Sequence, residues 1–121
     1  MSSVIGDNLK QRTKQFALRV LKVYLALPKR TEAQVLGKQM IRSGTSVGAQ
    51  YREAVRARSP AEFVSKIESA QQELEETVYW FELIVDIGLL PKSRLLDLIT
   101  EADALQRILA KSAITTRRNT R

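Results

Sequence analysis

Cysteine and histidine are both absent from this 121-residue sequence. Without cysteine the chain forms no disulfide and offers no thiolate to a metal. Without histidine it lacks the commonest general base and nitrogen ligand, and it cannot build a Ser-His-Asp triad. These absences argue against most hydrolytic mechanisms, and we predict a protein that is not an enzyme and has neither metal nor cofactor.

Long apolar runs are also missing. No stretch approaches the ~20 apolar residues that a membrane-spanning helix needs, and the first residues do not resemble a cleavable signal peptide. We therefore expect a cytoplasmic protein that does not bind membranes. A chain of 121 residues is long enough for one core, so residues 1–121 are predicted to form a single domain.

Alternation of period two, which would indicate strands, is absent over any useful length. Apolar residues instead recur every three or four positions, as on one face of a helix. Proline and glycine divide this pattern into four segments. We predict helices at about 8–27, 32–58, 60–87 and 91–114, followed by a frayed basic tail at 115–121. Four such helices with short connections predict an all-α fold, an antiparallel up-down four-helix bundle.

Local capping signals place these boundaries. A helix start favours a side-chain acceptor for its unpaired N–H groups, and a helix end favours glycine. The starts are predicted from Asp7 or Asn8, from Thr31 with Gln34, from Ser59 with Pro60 and Glu62, and from Pro91. The end of the third helix is predicted from Gly88.

The stretch "IRSGTSVGAQYREA", residues 41–54, places two glycines inside the second predicted helix. The apolar phase passes through Gly44 and Gly48 unchanged, although each glycine costs ~1 kcal/mol of helix propensity. A phosphate loop would need a Gly-Lys-Ser/Thr ending, which is missing. We interpret the glycines as thinning one side of the helix so that a neighbouring helix or subunit can approach.

This stretch, followed by "RARSPAEFVSKIESAQQELEETVYWFELIVDIGLL", resembles the bacterial four-helix-bundle family of proteins encoded in intervening sequences of large-subunit ribosomal RNA genes. The similarity is densest from Arg42 to Leu90. The family motif reads Arg-Ser, two small residues, Ser-Val or Ser-Ile, and an Asn shortly before Glu-Ala or Glu-Gly. Gln50 stands where the family commonly has Asn, and the motif is otherwise matched by Arg42, Ser43, Ser46, Val47, Glu53 and Ala54.

The resemblance implies an up-down bundle that assembles into a ring, since homopentamers are known in the family. It also implies kinship with the accessory variability determinant of diversity-generating retroelements, a ring that associates with a reverse transcriptase and nucleic acid. No enzymatic activity is attached to the family as a whole. The implied partners are therefore further copies of the chain, RNA or DNA, and a reverse transcriptase or other protein.

Positive charge is concentrated in the first half of the chain. Residues 1–60 carry 12 Lys and Arg against 3 Asp and Glu, whereas residues 61–121 carry 8 against 10. The basic residues of the first two helices form a candidate surface for non-specific binding to phosphates. The candidates are Lys10, Lys14, Lys38, Arg42, Arg52 and Arg56. The alternative is a solvated face without a nucleic-acid role.

Other side chains point to contact between subunits. Three leucines of the first helix lie off its apolar seam, and the third helix carries acidic residues seven apart with a tyrosine among them. Two different patches of this kind favour a heterologous contact, which closes a ring at a suitable rotation. The candidate interface residues are Leu18, Leu21, Leu25, Gly44, Gly48, Glu68, Glu75, Tyr79 and Glu82.

Two further features bear on chemistry. Four carboxylates are candidates for a magnesium-dependent nuclease site, but their positions show no convergent spacing: Glu53, Glu73, Glu76 and Asp97. Trp80 is interpreted as a core or interface anchor rather than a platform for stacking bases. The sequence thus predicts a non-catalytic homo-oligomeric adaptor or scaffold that binds nucleic acid through a basic surface. The alternative is a purely protein-binding or structural oligomer.

Overall fold

Four helices make up the protein. The computed structural model describes the backbone of residues 3–120 and the side chains of residues 8–120. The helices are α1 Ser3–Ala26, α2 Thr31–Val55, α3 Pro60–Asp86 and α4 Leu96–Asn119, with a 3-10 turn at Lys92–Arg94 before α4. Each helix packs against the next, and α4 returns to a more limited contact with α1. The predicted all-α four-helix bundle is confirmed, with no strand in residues 3–120.

The core runs along the middle of the bundle. Its largest fully buried side chains are Tyr51, Phe16 and Phe81. Each of the four helices contributes residues at steps of three or four, because that spacing keeps them on one face. Partly exposed residues such as Phe63 and Trp80 pack against the margin of this core.

Glycines on α2 allow α1 to approach closely. Gly44 and Gly48 are both buried. A Cβ atom at Gly44 would lie 2.9 Å from Cγ1 of Val20, and one at Gly48 would lie 3.0 Å from Oγ1 of Thr13. The close approach therefore takes place within one chain. This corrects the assignment of Gly44 and Gly48 to a contact between subunits, because α1 already occupies the space beside them.

A pair of buried hydroxyl groups joins α2 to α3. Oγ1 of Thr77 and Oγ of Ser43 are 2.8 Å apart and hydrogen-bonded. The same two oxygens also contact the carbonyl oxygens of Glu73 and Met40, at 2.7 and 3.3 Å. Since Ser43 and Thr77 have no exposed surface, these bonds satisfy polar groups that would otherwise be costly to bury.

The first two helix starts differ from the predictions. The α1 helix begins at Ser3, so Asp7 and Asn8 lie within it rather than at its cap. At α2 the N-cap is Arg30, which makes no side-chain capping bond. The side chain of Gln34 instead accepts a 2.6 Å hydrogen bond from the hydroxyl of Tyr24 on α1. The Gln34 side chain therefore bonds to another helix and does not complete the predicted capping box with Thr31.

The boundaries of α3 follow from its local sequence. Ser59 is the N-cap, and its side chain accepts a 3.1 Å hydrogen bond from the backbone N–H of Glu62. At the other end Gly88 has φ of 81°, in the left-handed region. The N–H of Gly88 donates to Val85 O, and that of Leu89 donates to Ile84 O, both at 3.0 Å. These two bonds form a Schellman motif, which ends the helix.

Helices α2 and α4 also differ from their predicted ranges. The α2 helix ends at Val55, three residues early, whereas α4 begins at Leu96 rather than 91 because the 3-10 turn takes up the residues after Pro91. At its other end α4 continues to Asn119, so residues 115–119 are helical rather than frayed. Arg121 lies outside the described residues.

Replacing Gly44 by leucine tests the close approach of α1. The new side chain would overlap with Val20, and overpacking of a core costs about 1–3 kcal/mol. Gly44→Leu should therefore lower the free energy of unfolding, measured in urea, by about 1–3 kcal/mol or more. The matched control Ala49→Leu lies on the exposed side of the same helix and should change stability by less than about 0.5 kcal/mol. Equal stability of both variants would contradict the packing interpretation.

A double-mutant cycle on Ser43→Ala and Thr77→Val measures the buried hydroxyl pair. Each single change leaves the other hydroxyl with fewer partners, so we expect the double variant to lose about 1 kcal/mol less than the sum of the singles. Ser69→Ala serves as the control, since its hydroxyl donates only to Ser65 O in its own helix. Strict additivity in urea unfolding would show that the two hydroxyls are not coupled.

Candidate functional site

The structure distributes the six candidate basic residues over different surroundings. Arg42 faces α3, where its Nη2 lies 2.6 Å from Glu76 Oε1 and its Nη1 lies 3.3 Å from Glu73 Oε1. Two carboxylates thus neutralise this cation within the chain. Arg42 contributes to the attachment of α2 to α3 and supplies little free positive charge to a phosphate.

The basic residues at one end of the α1 and α2 pair are unpaired. Thr13 of α1 lies against Gly48 of α2. Because the two helices are antiparallel, the residue one turn before Thr13 and the residue one turn after Gly48 lie at the same level along the bundle. Those positions are Lys10 and Arg52, and Arg56 follows one turn further. None of the three forms an ion pair within residues 8–120. We call Lys10, Arg52 and Arg56 the basic end.

Lys14 lies next to the basic end, one turn after Lys10 on α1, whereas Lys38 lies away from it. Lys14 is exposed one turn before Leu18 on the outer side of α1. Lys38 lies towards the opposite end of α2, where it borders a shallow cleft with Lys29 and Arg30. Hence the predicted basic surface is not one continuous stripe.

An ion pair that the sequence analysis missed joins the first and last helices. Arg12 donates from Nε to Glu101 Oε2 at 3.1 Å and from Nη2 to Glu101 Oε1 at 2.6 Å. These hydrogen bonds raise the pKa of the Arg12 guanidinium, although partial burial acts in the opposite direction. Arg12 therefore fastens α1 to α4 and is not available to a ligand. The two residues are 89 positions apart, so no local pattern could have paired them.

The carboxylates weighed as a nuclease site are dispersed. Glu73 and Glu76 bind Arg42, and Glu53 lies 3.3 Å from Nζ of Lys66. Asp97 is at the start of α4, beside Arg19 and Arg94. No group of three or more carboxylate, histidine or cysteine side chains in the described residues is placed to hold a metal ion.

Three leucines form an exposed apolar line on α1. The exposed fractions of Leu18, Leu21 and Leu25 are 41%, 37% and 80%. Lys14 and Lys22, which are both exposed, lie one turn from Leu18 on either side. We call these five residues the α1 ridge.

An acidic groove lies between α3 and α4. Its base includes the half-buried Val78 and Ile99, and its borders carry Glu75, Glu82 and Asp103. Tyr79 stands at its edge with 52% of its surface exposed. The groove has a volume of about 410 Å³, and none of the residues lining it is basic. We call this feature the α3–α4 groove.

The groove contains residues of both kinds, predicted and missed. Glu75, Tyr79 and Glu82 were predicted from the pattern of α3, whereas the α4 side of the groove was missed. The signal for it is the spacing of Ile99, Asp103 and Gln106 along α4. Glu68, also predicted, is outside the groove, where its Oε2 lies 2.6 Å from Nη2 of Arg117 in the same chain.

Among residues 8–120, two buried side-chain atoms have no hydrogen-bond partner. Trp80 is half-buried against the core margin, and its Nε1 donates to no described acceptor. Its ring lies 5.2 Å from that of Tyr79. Gln50 Oε1 likewise accepts no hydrogen bond from the described residues. Trp80 is therefore a packing residue, and Gln50 makes no bond between helices through this oxygen.

The orphan oxygen of Gln50 gives a stability prediction. A buried acceptor without a partner costs about 1–3 kcal/mol, so Gln50→Met, which keeps the length of the side chain, should raise the free energy of unfolding by about 1 kcal/mol. The exposed residue Gln72 provides the control variant Gln72→Met, for which we expect little change. Destabilisation by Gln50→Met would show that the amide oxygen is bonded in solution.

The protein is thus an all-helical domain whose outer faces carry charged and apolar patches. Residues 8–111 match the family model for the 23S rRNA-intervening sequence protein. This match covers most of the chain, which therefore belongs to that family.

A solved structure agrees with this assignment. The chain is 31% identical to a protein of unknown function from the S23 ribosomal protein family of Bacteroides thetaiotaomicron, with a TM-score of 0.81. The alignment covers 87% of this chain and 97% of that protein. No curated protein sequence matches the chain. Among the helices described, none combines the length and apolar character needed to cross a bilayer.

Proposed function

We propose that the protein is a non-catalytic, homo-oligomeric adaptor that binds RNA or DNA through phosphate contacts at the basic end. The observation that carries the nucleic-acid part is that Lys10, Arg52 and Arg56, on two adjacent helices, form no ion pair within residues 8–120. Arg12 and Arg42 on the same two helices are instead held by carboxylates. Free cations gathered at one end attract a polyanion more strongly than the net charge alone suggests.

The proposed contact is sequence-tolerant. Lysine and arginine neutralise phosphates and release condensed counterions, a process that gives affinity without reading bases. Trp80 packs against the core margin, which leaves it unsuited to stacking on bases. RNA is the first nucleic acid to test, because the family description refers to an intervening sequence of 23S rRNA.

A salt titration tests this function. Fluorescence anisotropy with labelled single-stranded RNA and duplex DNA should show binding by the parent that falls steeply as salt rises. The variant Lys10→Glu with Arg52→Glu should bind more weakly, and its salt dependence should be shallower by about two units, since each phosphate contact contributes about one.

The control variant carries the same change in charge elsewhere. Lys92 and Lys111 are exposed and form no ion pair within residues 8–120. If Lys92→Glu with Lys111→Glu weakens binding as much as the reversal at the basic end, only net charge matters and the basic end is not the site. Absence of binding by the parent at low salt would end the nucleic-acid proposal.

The second candidate function is a protein-binding oligomer without a nucleic-acid role. The exposed leucines of the α1 ridge favour it, because apolar side chains grouped on a surface mark contacts with proteins. A reverse transcriptase as partner, and kinship with the retroelement accessory determinant, stay predictions from the family resemblance. Self-association is common to both candidate functions.

A further inference from the structure

We propose that the α1 ridge of one copy packs into the α3–α4 groove of a second copy. This inference rests on the self-association in the proposed function and names the surfaces that carry it. Both surfaces belong to the same chain, so every copy presents one ridge and one groove.

The ridge has the properties of a helix face that is covered in the assembled state. Leu18, Leu21 and Leu25 follow one another at steps of three and four, which places them along one side of α1. The most exposed of them, Leu25, has 80% of its surface open. Burial of an apolar side chain of this size favours association. The flanking lysines keep the ridge positively charged.

The groove offers the complementary surface. Val78 and Ile99 provide an apolar base, while Glu75 and Glu82 form no ion pair within residues 8–120. Tyr79 adds a half-exposed aromatic side chain, a residue type enriched in contacts between proteins. The groove is therefore apolar at its base and negatively charged at its border.

The charges match in spacing as well as in sign. Lys14 and Lys22 are eight residues apart, about 12 Å along a helix, and Glu75 and Glu82 are seven apart, about 10.5 Å. A helix laid along the groove can thus bring one lysine to each glutamate while Leu18 and Leu21, which lie between the lysines, enter the apolar base. Opposite charges at such a contact select the partner and fix its register.

The ridge cannot fill the groove of its own chain. It lies on the outer side of α1, which packs against α2 and α4, whereas the groove opens between α3 and α4. The contact is consequently heterologous, with different patches meeting, and it leaves a free ridge at one end and a free groove at the other. Repetition of such a contact gives a closed ring or an open chain.

Charge reversal followed by restoration tests the contact. The ridge variant is Lys14→Glu with Lys22→Glu, the groove variant is Glu75→Lys with Glu82→Lys, and a third variant combines all four changes. Molar mass is measured by light scattering over a range of concentrations. Each reversal alone should weaken self-association about tenfold or more, because like charges then face each other.

The combined variant should regain the parent's association, and an equimolar mixture of the ridge and groove variants should associate more strongly than either variant alone. In the mixture, a native ridge meets a native groove at one contact and two reversed surfaces meet at the next. Leu25→Asp, which removes an apolar contact without involving the lysines, should also reduce the mass. The control Lys92→Glu with Lys111→Glu should associate like the parent, and circular dichroism should show that every variant remains helical.

The possible failures are distinct. If the parent assembles and neither reversal changes its mass, or if the combined variant is not restored, the inferred contact is wrong while self-association stands. A parent that is monomeric at micromolar concentration would overturn self-association and this contact together. If the groove variant alone loses association, the groove binds something other than the α1 ridge, which also overturns the inference.

Discussion

The close approach of α1 to α2 sets how the two helices are aligned in the bundle. Three glycines along α2 remove the side chains that would keep the helices apart: Gly37 meets Tyr24, Gly44 meets Val20 and Gly48 meets Thr13. Because these contacts recur along the helices, they fix how far each is shifted and rotated against the other. That register brings Lys10 level with Arg52, and it directs the leucines of α1 away from the core.

Helix α2 packs between α1 and α3. One side receives α1 at the glycines, and another is joined to α3 by the Ser43 hydroxyl and by Arg42. The small-residue stretch that defines the family motif is thus used largely for packing inside the chain. The surfaces available to a partner come from the outer faces of α1, α3 and α4 and from Arg52 and Arg56 at the end of α2.

Much of the fold could be predicted because its causes are local. The three-and-four spacing of apolar residues predicted the four helices, and Ser59 and Gly88 predicted the ends of α3. The start of the fourth helix at Pro91 was wrong, since α4 begins at Leu96. The errors arise where distant residues decide the outcome. Gln34 accepts a hydrogen bond from Tyr24, and Arg42 forms ion pairs with two glutamates of α3. Arg117 donates a hydrogen bond to Glu68, 49 positions away. The surfaces were only partly foreseen for the same reason, since the α3–α4 groove exists only once α4 lies beside α3.

The order of the helices also has a consequence for how the chain reaches this structure. Most contacts join helices that follow each other in sequence, so only short loops need to close, and folds of that kind reach the native state quickly. The seam between α1 and α4 is the exception, because it joins the two ends of the chain through Arg12 and Glu101. We therefore expect the contact between α1 and α4 to form late. In the folded protein, backbone amide hydrogens of α1 and α4 should exchange with solvent sooner than those of α2 and α3.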